Sequence, residues 1–143
     1  MRKLVIYLSI FLSFSNSAQT IHKFEAPIYK SKEIFKLSDY LGKKKIVINF
    51  WASWCTACIQ ELPILRELKS QNKTDTVFVA INAGERTKLI KKFLKRYDFP
   101  YLILEDRNKK IADLYKIERL PQTIVINKKG KIVYRGEEPP RKI

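Results

Sequence analysis

Two cysteines separated by two residues, Cys55-Thr56-Ala57-Cys58, directly follow Trp54, and they are the only thiols in the chain. The thiolate form of cysteine attacks disulfides, so a pair at this spacing can open a disulfide in another molecule and close one of its own. Other uses of the pair fit less well. A disulfide framework needs more cysteines, and two so close together staple no distant segments. Zinc would need two further ligands, and the one other soft donor, His22, lies far from the pair in sequence, so no metal is expected. Covalent haem attachment needs His straight after the second cysteine, where this chain has Ile59. No cofactor is expected.

The elements around the pair set its chemistry. Ile46-Val47-Ile48-Asn49-Phe50-Trp51 is apolar and β-branched without alternation, which predicts a central strand buried on both faces. Ala52 to Trp54 is then a turn, and from Thr56 to about Ser70 the stripe Ile59, Leu62, Leu65, Leu68 predicts an amphipathic helix, kinked at Pro63. Cys55 falls where the strand gives way to the helix. The leftover N–H groups and positive dipole end of a helix start favour anionic sulfur there, so the Cys55 thiol should titrate below the ordinary value of about 8.5. Cys55 is expected to be the accessible nucleophile, and Cys58, one turn deeper, the thiol that resolves the mixed disulfide.

The remaining pattern alternates. Residues 20 to 44 read as an extended lead-in with at most a short strand and turn, closed by Gly42. Thr76 to Ile81 predicts a second buried strand, Asn82-Ala83-Gly84 a loop, and Arg86 to Tyr97 a helix with Leu89, Ile90, Phe93 and Leu94 inward. Tyr101 to Leu104 predicts a strand, and Asn108 to Tyr115 a helix carrying Ile111, Leu114 and Tyr115 inward. Gln122 to Ile126 and Lys131 to Tyr134 are two strands about the turn Asn127-Lys128-Lys129-Gly130. The order β-α-β-α-β-α-β-β gives an α/β domain with a mixed central sheet flanked by helices.

A chain of 143 residues with 45% hydrophobic content can bury one sizeable core and is far from a disordered composition. Its 29 Lys+Arg against 14 Asp+Glu suggest a nucleic-acid binder at first sight. The cations instead fall in short runs, Lys43-Lys44-Lys45, Lys91-Lys92 and Lys128-Lys129, with no basic stripe interleaved with aromatics. They read as solvated surface, with an anionic partner or a membrane surface as the alternative, and no nucleic-acid partner is expected. Met1-Arg2-Lys3, the apolar Leu4 to Phe14 and the small residues Ser15 to Ala18 predict a signal peptide over 1–17, with an N-terminal anchor in contact with a membrane as the alternative. The domain proper is expected over 18–143, in a periplasmic or otherwise extracytoplasmic compartment. There a working CxxC reductant must itself be kept reduced.

Ala26-Pro27, Gly42-Lys43, Asn49-Phe50-Trp51-Ala52-Ser53-Trp54-Cys55-Thr56-Ala57-Cys58, Glu61-Leu62-Pro63 and Leu120-Pro121-Gln122-Thr123 resemble the recurring motifs of the TlpA/ResA branch of the thioredoxin superfamily. The resemblance covers nearly all of the domain. It implies a thioredoxin fold, a cis peptide between Leu120 and Pro121 facing the cysteines, and a reductase supplied with electrons by a membrane thiol transporter. Leu120, Pro121 and the surface ring of Trp54 are the substrate contacts it implies, with Trp51 as packing. Asn49 resembles a replacement of the buried carboxylate of cytosolic thioredoxins. An amide takes no proton, so another base is wanted for Cys58, and Glu61, three residues on, is the candidate. Spacing alone leaves Glu61 equally readable as an exposed helix-start acid; in the branch it resembles, this Glu lines the active-site cavity.

Two departures stand out. Thr56-Ala57 lacks the proline common between such cysteines, which leaves the direction of electron flow open. Relatives usually add a helix after the point where this chain stops, at Ile143, so the expectation is a domain lacking that terminal helix, with the sheet face covered by the lead-in or by a partner, or else a truncated sequence. The functional expectation is a reductase of exported protein disulfides such as those of apocytochrome c. The same chemistry run as an oxidant or isomerase, and a non-catalytic binding module, are the alternatives.

Overall fold

A computed structural model of the chain describes residues 20–143. The leader expected over 1–17, and its boundary at residue 18, lie outside the described residues. The lead-in holds more structure than its sequence announced. β1 (Glu25–Pro27) and β2 (Ile34–Lys36) form an antiparallel hairpin with Ala26 opposite Phe35, followed by a short 3-10 turn at Leu37–Asp39. Each strand buries only its middle residue, so Ala26 and Phe35 reach the core while their neighbours stay outside.

The main sheet is built around β3 (Lys45–Trp51), which is buried along almost its whole length. It runs parallel to β4 (Thr76–Ala83), which runs parallel to β5 (Leu102–Asp106). On the other side β3 pairs antiparallel with β6 (Gln122–Ile126), and β6 with β7 (Ile132–Gly136), giving the order β5-β4-β3-β6-β7. Asn82 and Ala83, expected in a loop, extend β4 by two residues, because Asn82 still pairs with Trp51 on one side and Glu105 on the other. The hairpin docks at the β5 edge, where Tyr29 N–H donates to the Ile103 carbonyl at 2.9 Å.

Alternation along β3 divides the core. Ile46, Ile48 and Phe50 face a cluster with Phe24, Phe35 and Tyr115, so the hairpin covers this side together with α4 (Lys110–Leu114). Val47 and Trp51 face the other side, covered by α1 (Thr56–Gln60), α2 (Leu62–Gln71) and α3 (Thr87–Leu94) through Leu62, Leu65, Leu68, Ile90 and Phe93. Fully burying each such aliphatic side chain contributes about 1.5–3 kcal/mol. Leu89 and Leu114, expected inward, are exposed instead. Their helices are short, and a single stripe on each suffices to reach the sheet.

The helix expected from Thr56 to Ser70 is broken at Glu61, which ends α1 and begins α2. Pro63 accounts for the break, since it has no N–H for the Ile59 carbonyl and its ring would clash there. The interruption falls before the proline, where its ring can serve as part of a fresh first turn.

Candidate active site

β3 ends at Trp51, the chain turns through Ala52, Ser53 and Trp54, and Cys55 caps α1. Cys55 and Cys58 are joined in a disulfide with their Cα atoms 5.3 Å apart. The Cys58 backbone N–H donates to Cys55 Sγ at 3.1 Å, using one of the donors that a helix start leaves without a partner. The same donor would favour negative charge on that sulfur after reduction. Cys55, expected to be accessible, is only 4% exposed, and Cys58 is 0% exposed. The order is the expected one, but the disulfide is nearly sealed, because both cysteines lie in the apolar cluster that contains Trp51 and Leu62. Trp51 is wholly buried against Phe93 and Phe99, with ring centroids 4.6 and 5.0 Å away, whereas Trp54 is 70% exposed.

Glu61 is buried, unlike an ordinary helix-start acid. The break before Pro63 leaves it at the junction of α1 and α2, and its Oε1 accepts from Asn49 Nδ2 at 2.7 Å. The same amide nitrogen lies 3.2 Å from Thr123 Oγ1. Asn49 and Thr123 are cross-strand partners in the β3–β6 ladder, so the sheet register itself assembles this polar group. Burial pushes the Glu61 carboxyl up to about 7, the Asn49 hydrogen bond opposes the rise, and the nearby charge of Glu138 adds to it. A carboxyl so placed gains and loses its proton near neutral pH. Tyr101 is pushed far above the usual phenol range by burial and, secondarily, by the charge of Glu61. Asn49 Oδ1 and the Tyr101 hydroxyl have no hydrogen-bond partner among the described residues.

A second buried carboxylate escaped the reading of the sequence. Glu85, 7% exposed, accepts from Ser53 N–H at 2.7 Å and from Ser53 Oγ at 2.5 Å, one carboxylate oxygen to each donor. Asn82 Nδ2 donates to the same carboxylate at 2.7 Å, and Asn82 Oδ1 accepts from Glu85 N–H at 3.3 Å. The end of β4 and the loop that follows it thus grip the turn that carries Trp54 and Cys55. The only trace in the sequence was an Asn three residues before an acid in a segment read as loop, which fits many solvated turns equally well.

The Leu120–Pro121 peptide is cis, and Pro121 is buried. Trp54 and Leu120 come together along a groove of about 460 Å³ whose walls include Ala83, Ile117, Arg119 and Glu137. Leu120 also packs against the cluster that holds both cysteines. The structure therefore gathers Trp54, Cys55, Cys58, Leu120 and Pro121 at one end of the sheet, with Glu61 beneath them on the helix side.

Similarity to known proteins follows the same elements. The chain is 36% identical over 98 residues to the thiol-disulfide oxidoreductase ResA of Geobacillus kaustophilus (strain HTA426), covering 68% of this chain and 56% of the relative. It is 34% identical over 99 residues to ResA of Bacillus subtilis (strain 168), covering 68% and 55%. The chain thus matches a little over half the length of these curated relatives. Among solved structures, a putative thiol:disulfide interchange protein DsbE from Chlorobium tepidum superposes with a TM-score of 0.76 at 26% identity, over 86% of each chain. The exposed lipoprotein thioredoxin Etrx1 from Streptococcus pneumoniae strain TIGR4 gives a TM-score of 0.70 at 28% identity, over 83% of this chain and 91% of that one. The expected α/β thioredoxin-like fold is the observed one. The Redoxin family model matches residues 16–142, a span that takes in every strand and helix described above and both cysteines, and the chain therefore belongs to the Redoxin family.

Proposed function

We propose that the chain is an extracytoplasmic thiol:disulfide oxidoreductase that reduces disulfides in exported proteins, apocytochrome c among them. The observation that carries this reading is the Cys55–Cys58 disulfide at the start of α1, one helical turn before a buried carboxyl that titrates near neutrality. In the reduced protein the Cys55 thiolate attacks a substrate disulfide, forming a mixed disulfide and releasing one substrate thiolate. The Cys58 thiol gives its proton to Glu61 and attacks Cys55 Sγ; the second substrate sulfur leaves as a thiolate that takes up the proton held by Glu61, and Cys55–Cys58 is left oxidised. Two electrons and two protons from a dithiol donor restore the starting state, and a membrane thiol transporter is the donor this reading requires. Trp54, Leu120 and Pro121 hold the substrate chain beside the pair. Extracytoplasmic placement draws on the leader expected over residues 1–17 and on the ResA and exposed-lipoprotein relatives.

Redox titration of the pair, with insulin reduction as the activity assay, tests the reading. A potential near thioredoxin's, about −270 mV, with turnover of insulin, is the expected result. A potential near about −120 mV would make the protein an oxidant, and a pair that exchanges with no protein disulfide would reduce it to a binding module. A Cys58→Ser variant should accumulate mixed disulfides at Cys55, and their partner chains identify the substrates.

A further inference from the structure

The segment from Arg86 to Tyr97 carries six cations and no acid. Within it Leu89, Lys92, Phe93 and Arg96 recur at helical spacing and form one stripe along α3 and the turn that follows. This stripe lines a cavity of about 220 Å³ whose remaining walls are Tyr97 and Ser53. Its floor is aromatic, with Phe93 and Tyr97 in ring contact at 4.9 Å, and Leu89 on its margin is 44% exposed. No carboxylate lines it, and the side chains of Lys92 and Arg96 have no ion-pair or hydrogen-bond partner among the described residues. The far wall is the residue gripped by Glu85, two positions before Cys55. Two residues of chain span at most about 7 Å, so the cavity opens within a few residues' reach of the disulfide.

We propose that this cavity docks an acidic segment of the protein that exchanges disulfides with Cys55, seating carboxylates on Lys92 and Arg96 two to four residues from the partner's cysteine. The inference rests on the oxidoreductase reading and adds to it a preference among partners. Charge complementarity selects the occupant, because two cations without partners over an apolar floor attract a short acidic stretch with an apolar neighbour and repel a basic one. The groove beside Trp54 and Leu120 is a different surface, and its wall holds Arg119 with Glu137 already beside it at 3.8 Å. Among the described residues Lys109 also lines the Trp54 groove without a partner, but that groove carries the carboxylates of Asp113, Glu118 and Glu137, whereas the lining of the α3 cavity has none.

The test uses disulfide-linked peptides that carry Asp-Glu or Asn-Gln two to four residues from the cysteine, in two series, before it and after it. Wild type, a Lys92→Glu/Arg96→Glu variant and a Lys43→Glu/Lys44→Glu variant are compared at low ionic strength. Lys43 and Lys44 precede β3 at the opposite end of the sheet from Cys55 and control for net charge. Wild type should favour the acidic peptides about fivefold in kcat/KM in at least one series, the scale that two exposed ion pairs supply. Salt at physiological strength, with a Debye length of about 8 Å, should erode the preference. The Lys92→Glu/Arg96→Glu variant should lose or invert it, the distal variant should keep it, and all three should reduce a small neutral disulfide at one rate. Binding of the same peptides with serine for cysteine, read by fluorescence anisotropy, should show the same ranking. This readout works even if no exchange occurs, so failure of the oxidoreductase reading, seen as no reduction of the neutral disulfide, is distinguishable from failure of the docking surface. Equal binding of acidic and amide peptides, or equal loss in the distal variant, overturns the proposal. So does a Lys92→Glu/Arg96→Glu variant that loses affinity for phosphatidylglycerol vesicles while binding acidic peptides normally, which would make the surface a lipid contact.

Discussion

Asn49 donates its side-chain amide to Glu61 at 2.7 Å, and both side chains are withdrawn from solvent. A strand residue from the sheet and a helix-junction residue above it thereby share one polar contact in the cluster side that also holds the cysteines. Burial raises the Glu61 carboxyl to about 7, so the folded protein binds a proton there that the unfolded chain releases at its ordinary value of 4.5. Folding is favoured by this group below the unfolded value, and the contribution is lost as pH rises through about 7. Urea unfolding of the oxidised protein should therefore show stability falling between about pH 4.5 and 7, by on the order of 2 kcal/mol after allowing for screening. Glu61→Gln should flatten that slope. In stopped-flow reduction of a model disulfide the same variant should slow resolution of the mixed disulfide, and thiol titration should give a lower macroscopic value for the cysteine pair. An unchanged pH slope, titration and rate would return Glu61 to a purely structural place.

Asn49→Asp should convert the contact into two carboxyls sharing one proton. Like charges at hydrogen-bond distance cannot both ionise cheaply, so one carboxyl of the pair should stay protonated above pH 7. The variant is then expected to resemble wild type in stability at pH 5 and to be less stable than it at pH 8. Denaturant midpoints at the two pH values check this, and equal losses at both would mean that the two groups do not interact.

Ser53→Ala should remove the hydroxyl that bonds Glu85 at 2.5 Å, at a cost of about 1.5–3 kcal/mol for a hydrogen bond to a charged group. Glu85→Gln is expected to cost less, since one oxygen can keep the bonds from Ser53 N–H and Asn82 Nδ2 while the new NH2 donates to Ser53 Oγ, which accepts as well as donates. If Glu85 also positions the cysteine turn, both changes will shift the reduction potential of the Cys55–Cys58 pair. A drop in thermal stability with an unmoved potential would confine Glu85 to packing the turn.

Trp54→Ala should leave thermal stability within about 0.5 kcal/mol, because the ring is largely solvent-exposed. It should raise KM for insulin severalfold without changing the rate with a small disulfide. Trp51→Ala, by contrast, should cost about 3–5 kcal/mol, since its ring is fully enclosed by neighbours such as Phe93 and Phe99.

Legibility in the sequence followed the strength of the periodic signal. β3 and β4 were readable because uninterrupted β-branched runs have few other uses, and the CxxC pair because its spacing and its place at a strand-helix boundary reinforce each other. The β1–β2 hairpin was not, because its strands are three residues long, one ends in Pro27, and its turn passes through Lys30 at φ 58°, a conformation that lysine does not advertise. Pro63 announced a disturbance of the helix, but not that the disturbance would turn Glu61 inward. Glu61 and Glu85 belong to a residue type that is almost never buried unless paired, and their partners Asn49, Asn82 and Ser53 sit 12, 3 and 32 residues away. The cis geometry at Pro121 entered through the resemblance alone, since the residues flanking it suit a trans bond as well.

The polar contacts around the cysteines reach across 74 residues from Asn49 to Thr123 and 32 from Ser53 to Glu85. Synthesis delivers residues in order, so Cys55 and Cys58 emerge well before the loop after β4 brings Glu85 and longer still before β6 brings Thr123. Closing those loops is the slow, non-local part of reaching this topology. Until then the two thiols belong to a flexible peptide, with neither a clamped turn nor a raised carboxyl beside them. Reactivity in this chain is thus contingent on its completion, and a stalled or incomplete copy carries the cysteine motif without the surroundings that tune it.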